Sequence, residues 1–390
     1  MICVGIDVSK DKHDCCIFSS DGQLLLKPFS VPNNRDGFDS LYSAVRSFEN
    51  DPDKVKVGLE ATGHYSFNIL GYLLEKGIHC FVFNPLHTNL YRKSLTLRKT
   101  KTDKVDSKII AKMLLSEVDL KPYSKTLYHN EQLKSLSRYR FSKIRERGNL
   151  KQQLARLVNI LFPELENLVP SLHLSSVYAL LEEFPGASYV AKAHITRLSN
   201  LLCASSKGHY KKDKAVEIRN AASSSVGSVM PAKSLELKHT IQLIRILSEE
   251  IDEIESQIQE IMEKIQSPIT SIPGLGFRMA AMILSEIGDF SKFDSPDKIL
   301  AFAGISPSTY QSGKLDNAYA HMEKRGSRYL RYALYNAAIY VCHWDKTFSV
   351  YLQKKRAEGK HYYVALSHAI KKLVRVIYRL QLTGEPYRPA

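Results

Sequence analysis

Five apolar runs within the first 83 residues, the first three separated by polar turns and the last two by helical periodicity, constrain the fold of this chain more than any other feature. Ile2 to Ile6 and Cys15 to Phe18 flank the polar segment Ser9-Lys-Asp-Lys-His-Asp, which predicts a hairpin, and Gln23 to Phe29 supplies a third strand. A helix over Gly37 to Phe48 follows, with Phe38, Leu41 and Val45 on one face. Then come the run Val55 to Leu59, a helix over Ser66 to Lys76 ended by Gly77, and the strand His79 to Phe83 closed by Asn84-Pro85. Three antiparallel strands followed by strands alternating with helices predict an α/β unit.

The acids near those strand ends give the unit a chemical reading. Asp7 ends the first run, in VGIDVSK, and Glu60 ends the fourth, in VGLEATG. A carboxylate at the end of an apolar strand costs free energy if buried without a partner. Asp103 and Asp106, in KTDKVDSK, stand three apart at the start of a predicted helix over Ser107 to Leu115, which puts both on one face. Any one of these acids alone reads equally well as a solvated charge, and Asp103 as a first-turn acid favoured by the helix dipole. Four converging carboxylates would repel one another unless cations neutralised them. The expectation is an RNase H-like fold, with Asp7, Glu60, Asp103 and Asp106 holding two magnesium ions that clamp a phosphodiester.

Charge sets the partner class. The chain carries a net charge of +15 over 390 residues, with nearly all of the excess beyond the first 120, so a polyanion is expected to bind downstream of a near-neutral catalytic unit. Leu86 to Lys101 reads as a basic loop whose Arg92, Lys93, Arg98, Lys99 and Lys101 would hold backbone phosphates beside the acids. The six cysteines show no metal-binding spacing and read as reduced core residues, and neither a signal peptide nor a membrane span is expected, which predicts a cytoplasmic protein.

The remainder reads as helical. The expected divisions are a catalytic domain over 1–125, a basic helix over 126–162, a small helical insert over 163–233, a second long helix over 234–266 and a helical domain over 267–390. Asn130 to Leu161 carries an interrupted leucine stripe with Arg138, Arg140, Lys143 and Arg147 facing elsewhere, where nucleic acid could be held. Leu235 to Ile265 places Leu247, Ile251, Ile254, Ile258, Ile261 and Ile265 in alternating steps of four and three, a coiled-coil seam with an acidic outer face. The two helices are complementary in charge, and their pairing within one chain or between two is open. Between them, Tyr178 to Phe184 and Ile195 to Leu202 read as short helices, Ser205 to Lys214 as a basic loop and Ser223 to Pro231 as a flexible linker.

Two motifs close the chain. Ile-Pro-Gly-Leu-Gly at 272–276 has the pattern of a helix-hairpin-helix turn, in which Gly274 and Gly276 would let backbone approach a phosphate. The segment from Leu300 ends in Ser312-Gly313-Lys314, and the next, from Glu323, is expected to start a helix with Lys324, Arg325, Arg328 and Arg331 as a phosphate clamp. A Ser-Gly pair by itself is a commonplace turn.

Taken together, GIDVSK, GLEATGHY, KTDKVDSKIIA, IPGLG, AGISPSTYQSGK and KRGSRYLRYAL resemble the insertion-sequence transposases that join an N-terminal DEDD, RuvC-like domain to a C-terminal serine-bearing domain. These are bridge-RNA-guided recombinases with Piv-type DNA invertases among their relatives, and the resemblance spans essentially the whole chain. It implies that Asp7, Glu60, Asp103 and Asp106 are the metal ligands and that Ser312 forms a phosphoserine link to DNA, with Ser306 and Ser308 as neighbouring hydroxyls. It also implies double-stranded DNA as donor and target, a noncoding guide RNA, and a dimer or tetramer in which acids and serine meet. Glu323 replaces a serine common in the family's motif, leaving Lys324-Arg325-Gly326 intact. Excision and insertion of a mobile element is the leading expectation and inversion of a DNA segment the close alternative. A sugar-kinase-like ATPase would need a second Asp-Gly-Gly phosphate motif, which is absent, and a non-enzymatic RNA scaffold would have no use for four converging acids.

Overall fold

The computed structural model describes every residue except 61–64, 84, 96–102, 117–119, 121, 124–125, 307–310, 313–314, 317–321 and 390; at 86, 95, 103–104, 126–130, 311–312 and 315–316 only the backbone is described. The chain divides into two compact units, Met1–His129 and Asn130–Ala390.

The first unit is built on a five-stranded sheet: β1 (Ile2–Val8), β2 (Lys12–Ser19), β3 (Leu24–Pro32), β4 (Val55–Glu60) and β5 (His79–Phe83). Their order is β3-β2-β1-β4-β5. β1 to β3 form an antiparallel meander, whereas β4 runs parallel to β1 and β5 parallel to β4. The three-strand hairpin series and the two later strands therefore form as the apolar runs predict.

Alternation along β1 divides the sheet into two faces. Ile2, Val4, Ile6 and Val8 pack under α1 (Arg35–Arg46) and α2 (Ser66–Glu75), against Phe38, Leu41, Val45, Ile69 and Leu73. Cys3, Gly5 and Asp7 face the other way, toward α4 (Asp103–Ser116). Gly5 makes that packing close: a methyl group there would lie 2.1 Å from the Ser107 carbonyl oxygen and 2.6 Å from the Ala111 nitrogen. Gly58 does the same on β4, where a methyl would lie 2.8 Å from the Ile110 side chain. Two glycines on neighbouring strands thus form a trough for one helix.

One expectation fails in this unit. Leu86 to Leu95, read as part of a basic loop, lie in helix α3 (Pro85–Leu95). Pro85 supplies a preset first-turn φ, the Leu, Tyr, Arg and Lys residues that follow are ordinary helix formers, and the helix is anchored to α4 where the Tyr91 hydroxyl meets Ser116 Oγ at 2.9 Å.

Among its described residues the second unit is helical apart from a two-stranded ribbon. α5 (Thr126–Leu161) and α11 (Pro231–Ile265) pair within the chain. Their ties are Arg140 to Glu255, Lys143 to Glu250, Arg147 to Ser248 and Gln153 to Glu236, so the partner number falls as α5 advances and the pair is antiparallel. The buried stripe of α11 runs Leu237, Ile241, Ile244, Leu247, Ile251, Ile254, Ile258 and Met262. It departs from the expected seam after Ile258, since Met262 is buried and Ile265 is exposed. A straight helix of 3.6 residues per turn drifts off a strict heptad over this length.

The pair carries a core at each end. At one end Leu154 to Leu161 and Leu237 to Ile244 pack with α6 (Leu165–Leu168), α7 (Ser175–Glu183), α8 (Ala187–Lys192), α9 (Ile195–Ser205) and α10 (Lys212–Ser223). The basic stretch at 205–214 is accordingly a turn followed by the start of α10. Nor is Ser223 to Pro231 a free linker. Glu164 accepts hydrogen bonds from Ser225 Oγ (2.5 Å) and the Val226 amide (3.0 Å), and Ser228 donates to Ile160 O at 2.8 Å. Gly227 lies so close to the Leu161 backbone that a methyl would sit 2.4 Å from its carbonyl oxygen.

At the other end Leu133, Ile254, Ile258 and Met262 join α12 (Phe277–Ile287), α13 (Pro296–Phe302), α14 (Arg328–Trp344), α15 (Lys346–Ala357) and α16 (Tyr362–Thr383). Five of the six cysteines are buried as free thiols, Cys203 being exposed. Among the described residues no helix is long and apolar enough to cross a membrane.

Candidate active site and nucleic-acid contacts

Strand polarity and side-chain alternation bring two of the sequence-predicted acids together. Asp7 follows Gly5 by two, and Glu60 follows Gly58 by two, so both carboxylates project on the face covered by α4. Ile6 pairs with Leu59 across parallel strands, which sets Asp7 and Glu60 side by side at adjacent carboxyl ends. α4 runs antiparallel to β1: Ser107 lies over Gly5, and farther along the helix Ala111 and Leu115 pack with Phe18, which pairs with Cys3. The first turns of α4 therefore overlie the same strand ends. Asp106 is buried there at 8% exposure, while the Asp103 side chain lies outside the described residues. Among the described residues no group of three or more His, Cys, Asp or Glu side chains stands close enough to hold a metal.

Arg92, read from the sequence as a phosphate contact, lies against Asp106. Its guanidinium donates to Asp106 Oδ1 at 3.0 Å and to Asn89 Oδ1 at 2.7 Å, so Asn89, one helical turn back on α3, orients it. Lys93 is exposed on the same helix, and Arg98, Lys99 and Lys101 lie outside the described residues. Asp14 escaped the sequence reading although it pairs with Asp7 across β1 and β2. It is only 2% exposed, accepts from Ser30 Oγ at 2.5 Å and binds Lys12 at 3.0 Å, so its charge is already balanced. Asp14 ends the polar segment Ser9-Lys-Asp-Lys-His-Asp, which offered no signal to separate it from a surface turn residue.

The basic face of α5 is engaged within the chain. Arg140 and Lys143 bind Glu255 and Glu250, and Arg147 donates to Ser248. Arg138 holds Glu286 of α12 through Nε at 2.6 Å and NH2 at 3.0 Å. Glu286 is almost fully buried and also accepts from Ser327 Oγ at 2.6 Å, while Ser327 in turn caps α14 by accepting from the Leu330 amide. Burial would push Arg138 down, but the carboxylate and its hydrogen bonds outweigh it and leave the guanidinium above its ordinary value. These four residues tie α5 to α11 and α12; their partners lie about 100 or more positions away and are invisible to local pattern.

Gly274 is likewise occupied: at φ +85° it lies against α14, where a methyl would be 2.6 Å from the Tyr340 carbonyl oxygen. Gly276 caps α12 with open space beside it. Lys324 and Arg325 are exposed but precede α14, because Ser327 caps the helix and Arg328 is its first residue. Arg331 is turned inward, donating to Ala303 O at 2.9 Å and Lys324 O at 3.2 Å, whereas Arg328 is exposed and reaches the Tyr329 hydroxyl.

Ser312 belongs to a ribbon of β6 (Gln311–Ser312) and β7 (Leu315–Asp316). Ser312 pairs with Leu315; its side chain, Gly313, Lys314 and Ser308 lie outside the described residues. The ribbon springs from a closed neck. Glu323 N donates to Ser306 O at 3.1 Å, Lys324 N to Gly304 O at 3.2 Å and Ser327 N to Phe302 O at 2.8 Å. Gly304 and Gly326 permit this, since a methyl on either would strike the opposing backbone at 2.3 or 2.1 Å.

Comparison with known proteins matches two stretches of the chain. Residues 4–163 match a transposase family of DEDD type named for IS110, and residues 266–353 match the transposase IS116/IS110/IS902 family. The chain belongs to the IS110/IS116/IS902 transposases. Relatives include an uncharacterized 44.8 kDa protein of insertion element IS116 from Streptomyces clavuligerus, 24% identical over 100% of this chain and 96% of its own length. Another is the IS900 protein of Mycobacterium paratuberculosis, 23% identical over 99% of this chain and 97% of its own length. The pilin gene-inverting protein of Moraxella bovis is 22% identical over 98% of this chain and 97% of its own length.

Proposed function

We propose that this transposase excises and inserts a mobile element by cutting and exchanging DNA strands at a composite site of Asp7, Glu60, Asp103, Asp106 and Ser312. The observation that carries this reading is the convergence of Asp7 and Glu60 at adjacent parallel strand ends beneath the first turns of α4. We read the strand order β3-β2-β1-β4-β5, with its antiparallel meander and two parallel strands, as RNase H-like and the unit as RuvC-like.

The donor set fits a hard divalent cation: carboxylate oxygens only, with buried Asp106 balanced by Arg92. Magnesium bound there would lower the charge on a phosphodiester and polarise it toward attack. Asp7 and Glu60 would hold it from the sheet, and Asp103 and Asp106 from α4. Arg92, released from Asp106, would be within reach of a bound phosphate.

In the strand-cutting step Ser312 Oγ forms a bond to phosphorus, the bond to one deoxyribose oxygen breaks, and the serine proton ends on that leaving oxygen. One phosphodiester is exchanged for another, so the reverse attack by a new strand end rejoins DNA without an energy source. Double-stranded DNA is the substrate, and a guide RNA from the element's noncoding end selects the sites. The acids and the serine meet within a dimer or tetramer. Exposed Lys93, Lys324, Arg325 and Arg328, and the open helix end at Gly276, are the described groups best placed for phosphates. Inversion by the same chemistry is the second reading, favoured by the full-length similarity to the pilin gene-inverting protein.

The test is cleavage of DNA bearing an element junction by protein purified with its RNA. Asp7→Ala and Asp106→Ala should abolish cutting, and Ser312→Ala should abolish the covalent protein–DNA adduct. An adduct surviving in Ser312→Ala removes the serine, cutting that survives chelation removes the cations, and activity that survives ribonuclease removes the guide.

A further inference from the structure

The C-terminal helices carry an aromatic surface that the site above does not use. A cavity of about 530 Å³ opens between the end of α14 and the start of α16, lined among others by Tyr340, His343, Trp344, Leu352 and Tyr362. Trp344 is the only tryptophan of the chain and is 67% exposed, Tyr340 is 54% exposed, and Tyr363 beside the cavity is 61% exposed. Large aromatic faces left in water forfeit the burial that would stabilise them. Clustered around one cavity, they point to a partner.

The charge around them says which. Between His343 and Tyr363 stand Lys346, Lys354, Lys355, Arg356 and Lys360. The acids of that stretch are Asp345, which is buried and caps α15 by accepting from the Phe348 amide, and Glu358, which is bound between Lys355 and Lys360. The outward charge is therefore positive. A second copy of the chain docking through a two-fold axis would bring the basic end of α15 against itself, a like-charge contact. A polyanion with flat apolar faces has no such conflict. In duplex DNA those faces are stacked away, whereas an unpaired strand offers them.

We propose that this surface is a stacking platform for single-stranded DNA, with Trp344, Tyr340 and Tyr362 taking bases and Lys346, Lys354 and Arg356 taking the flanking phosphates. Strand exchange by a transposase generates such unpaired segments. The inference rests on the family and not on the carboxylates or Ser312, so an inactive Asp7→Ala protein serves equally well to test it.

The lone tryptophan supplies the readout. Full-length protein titrated with a short oligodeoxythymidylate should show saturable quenching of Trp344 fluorescence, stronger than with a duplex or an RNA of equal length. By anisotropy of a labelled strand, Trp344→Ala should weaken binding about tenfold, Trp344→Phe much less, and Lys354→Gln should flatten the salt dependence by about 0.7 of a logarithmic unit per decade. Absence of quenching in the unmodified protein overturns the proposal whatever the variants do. So does preference for RNA or duplex, unchanged affinity in a folded Trp344→Ala protein, or a DNA-independent spectral shift that follows self-association.

Discussion

Replacing Gly5 by alanine tests the packing that places the acids. The added methyl would stand 2.1 Å from the Ser107 carbonyl oxygen, 2.6 Å from the Ala111 nitrogen and 2.9 Å from the Ala111 methyl. Carbon and oxygen approach no closer than about 3.3 Å without repulsion, so α4 must retreat by about 1 Å. Two of the three atoms are backbone, and no side-chain rotation relieves them. Overpacking of this kind costs about 1–3 kcal/mol, and the upper end applies here. Because Asp103 and Asp106 ride on the helix that moves, a displacement of about 1 Å should also slow strand cutting by about 10²-fold. The assay is urea unfolding followed by far-ultraviolet circular dichroism, with cleavage measured on the folded fraction. Trp344 lies in the other unit, and its fluorescence transition should stay in place. Gly71 in α2 is the control, since a methyl there meets nothing within 4 Å and alanine should stabilise the helix by up to about 1 kcal/mol. A Gly5→Ala protein as stable as the parent, or destabilised but cutting at the parental rate, would refute the reasoning.

Two further perturbations have defined outcomes. His13 is fully buried and stacked on Phe38, and burial above all holds its imidazole below the ordinary value of 6.5. Its contribution is intact above that value and is lost as pH falls below it, where the unfolded chain takes a proton that the folded one refuses; His13→Phe should flatten the stability–pH curve there, and an unchanged slope would exclude the residue. Glu286→Leu should cost about 2 kcal/mol, less than the 3–5 kcal/mol of a fully buried pair because Arg138 stays partly in water, and Trp344 fluorescence in urea should register it.

Elements with a strong period were legible in the sequence. The five strands, the two long helices and the strand-end positions of Asp7 and Glu60 follow from apolar alternation alone, which reports burial directly. What local pattern hides is the partner. Arg92, Arg138, Arg140 and Lys143 read as free cations because Asp106, Glu286, Glu255 and Glu250 are brought to them only by folding. A glycine's packing role is hidden in the same way: the missing side chain of Gly274 makes room for the backbone at Tyr340. The helix Pro85–Leu95 was obscured by its charge, since a basic stretch without a clear apolar stripe looks like a loop until α4 gives it a surface.

The antiparallel pair of α5 and α11 has an evolutionary consequence. Thirty-five residues of α11 extend about 50 Å, and the chain travels out along one helix and back along the other. Everything between Phe162 and Met230 is thus cargo at the tip of a boom whose two rails are cross-tied along their length. Because Leu154 to Leu161 and Leu237 to Ile244 belong to the core of that cargo, any exchange of it must take the ends of both rails with it, while the base of the boom keeps its own core.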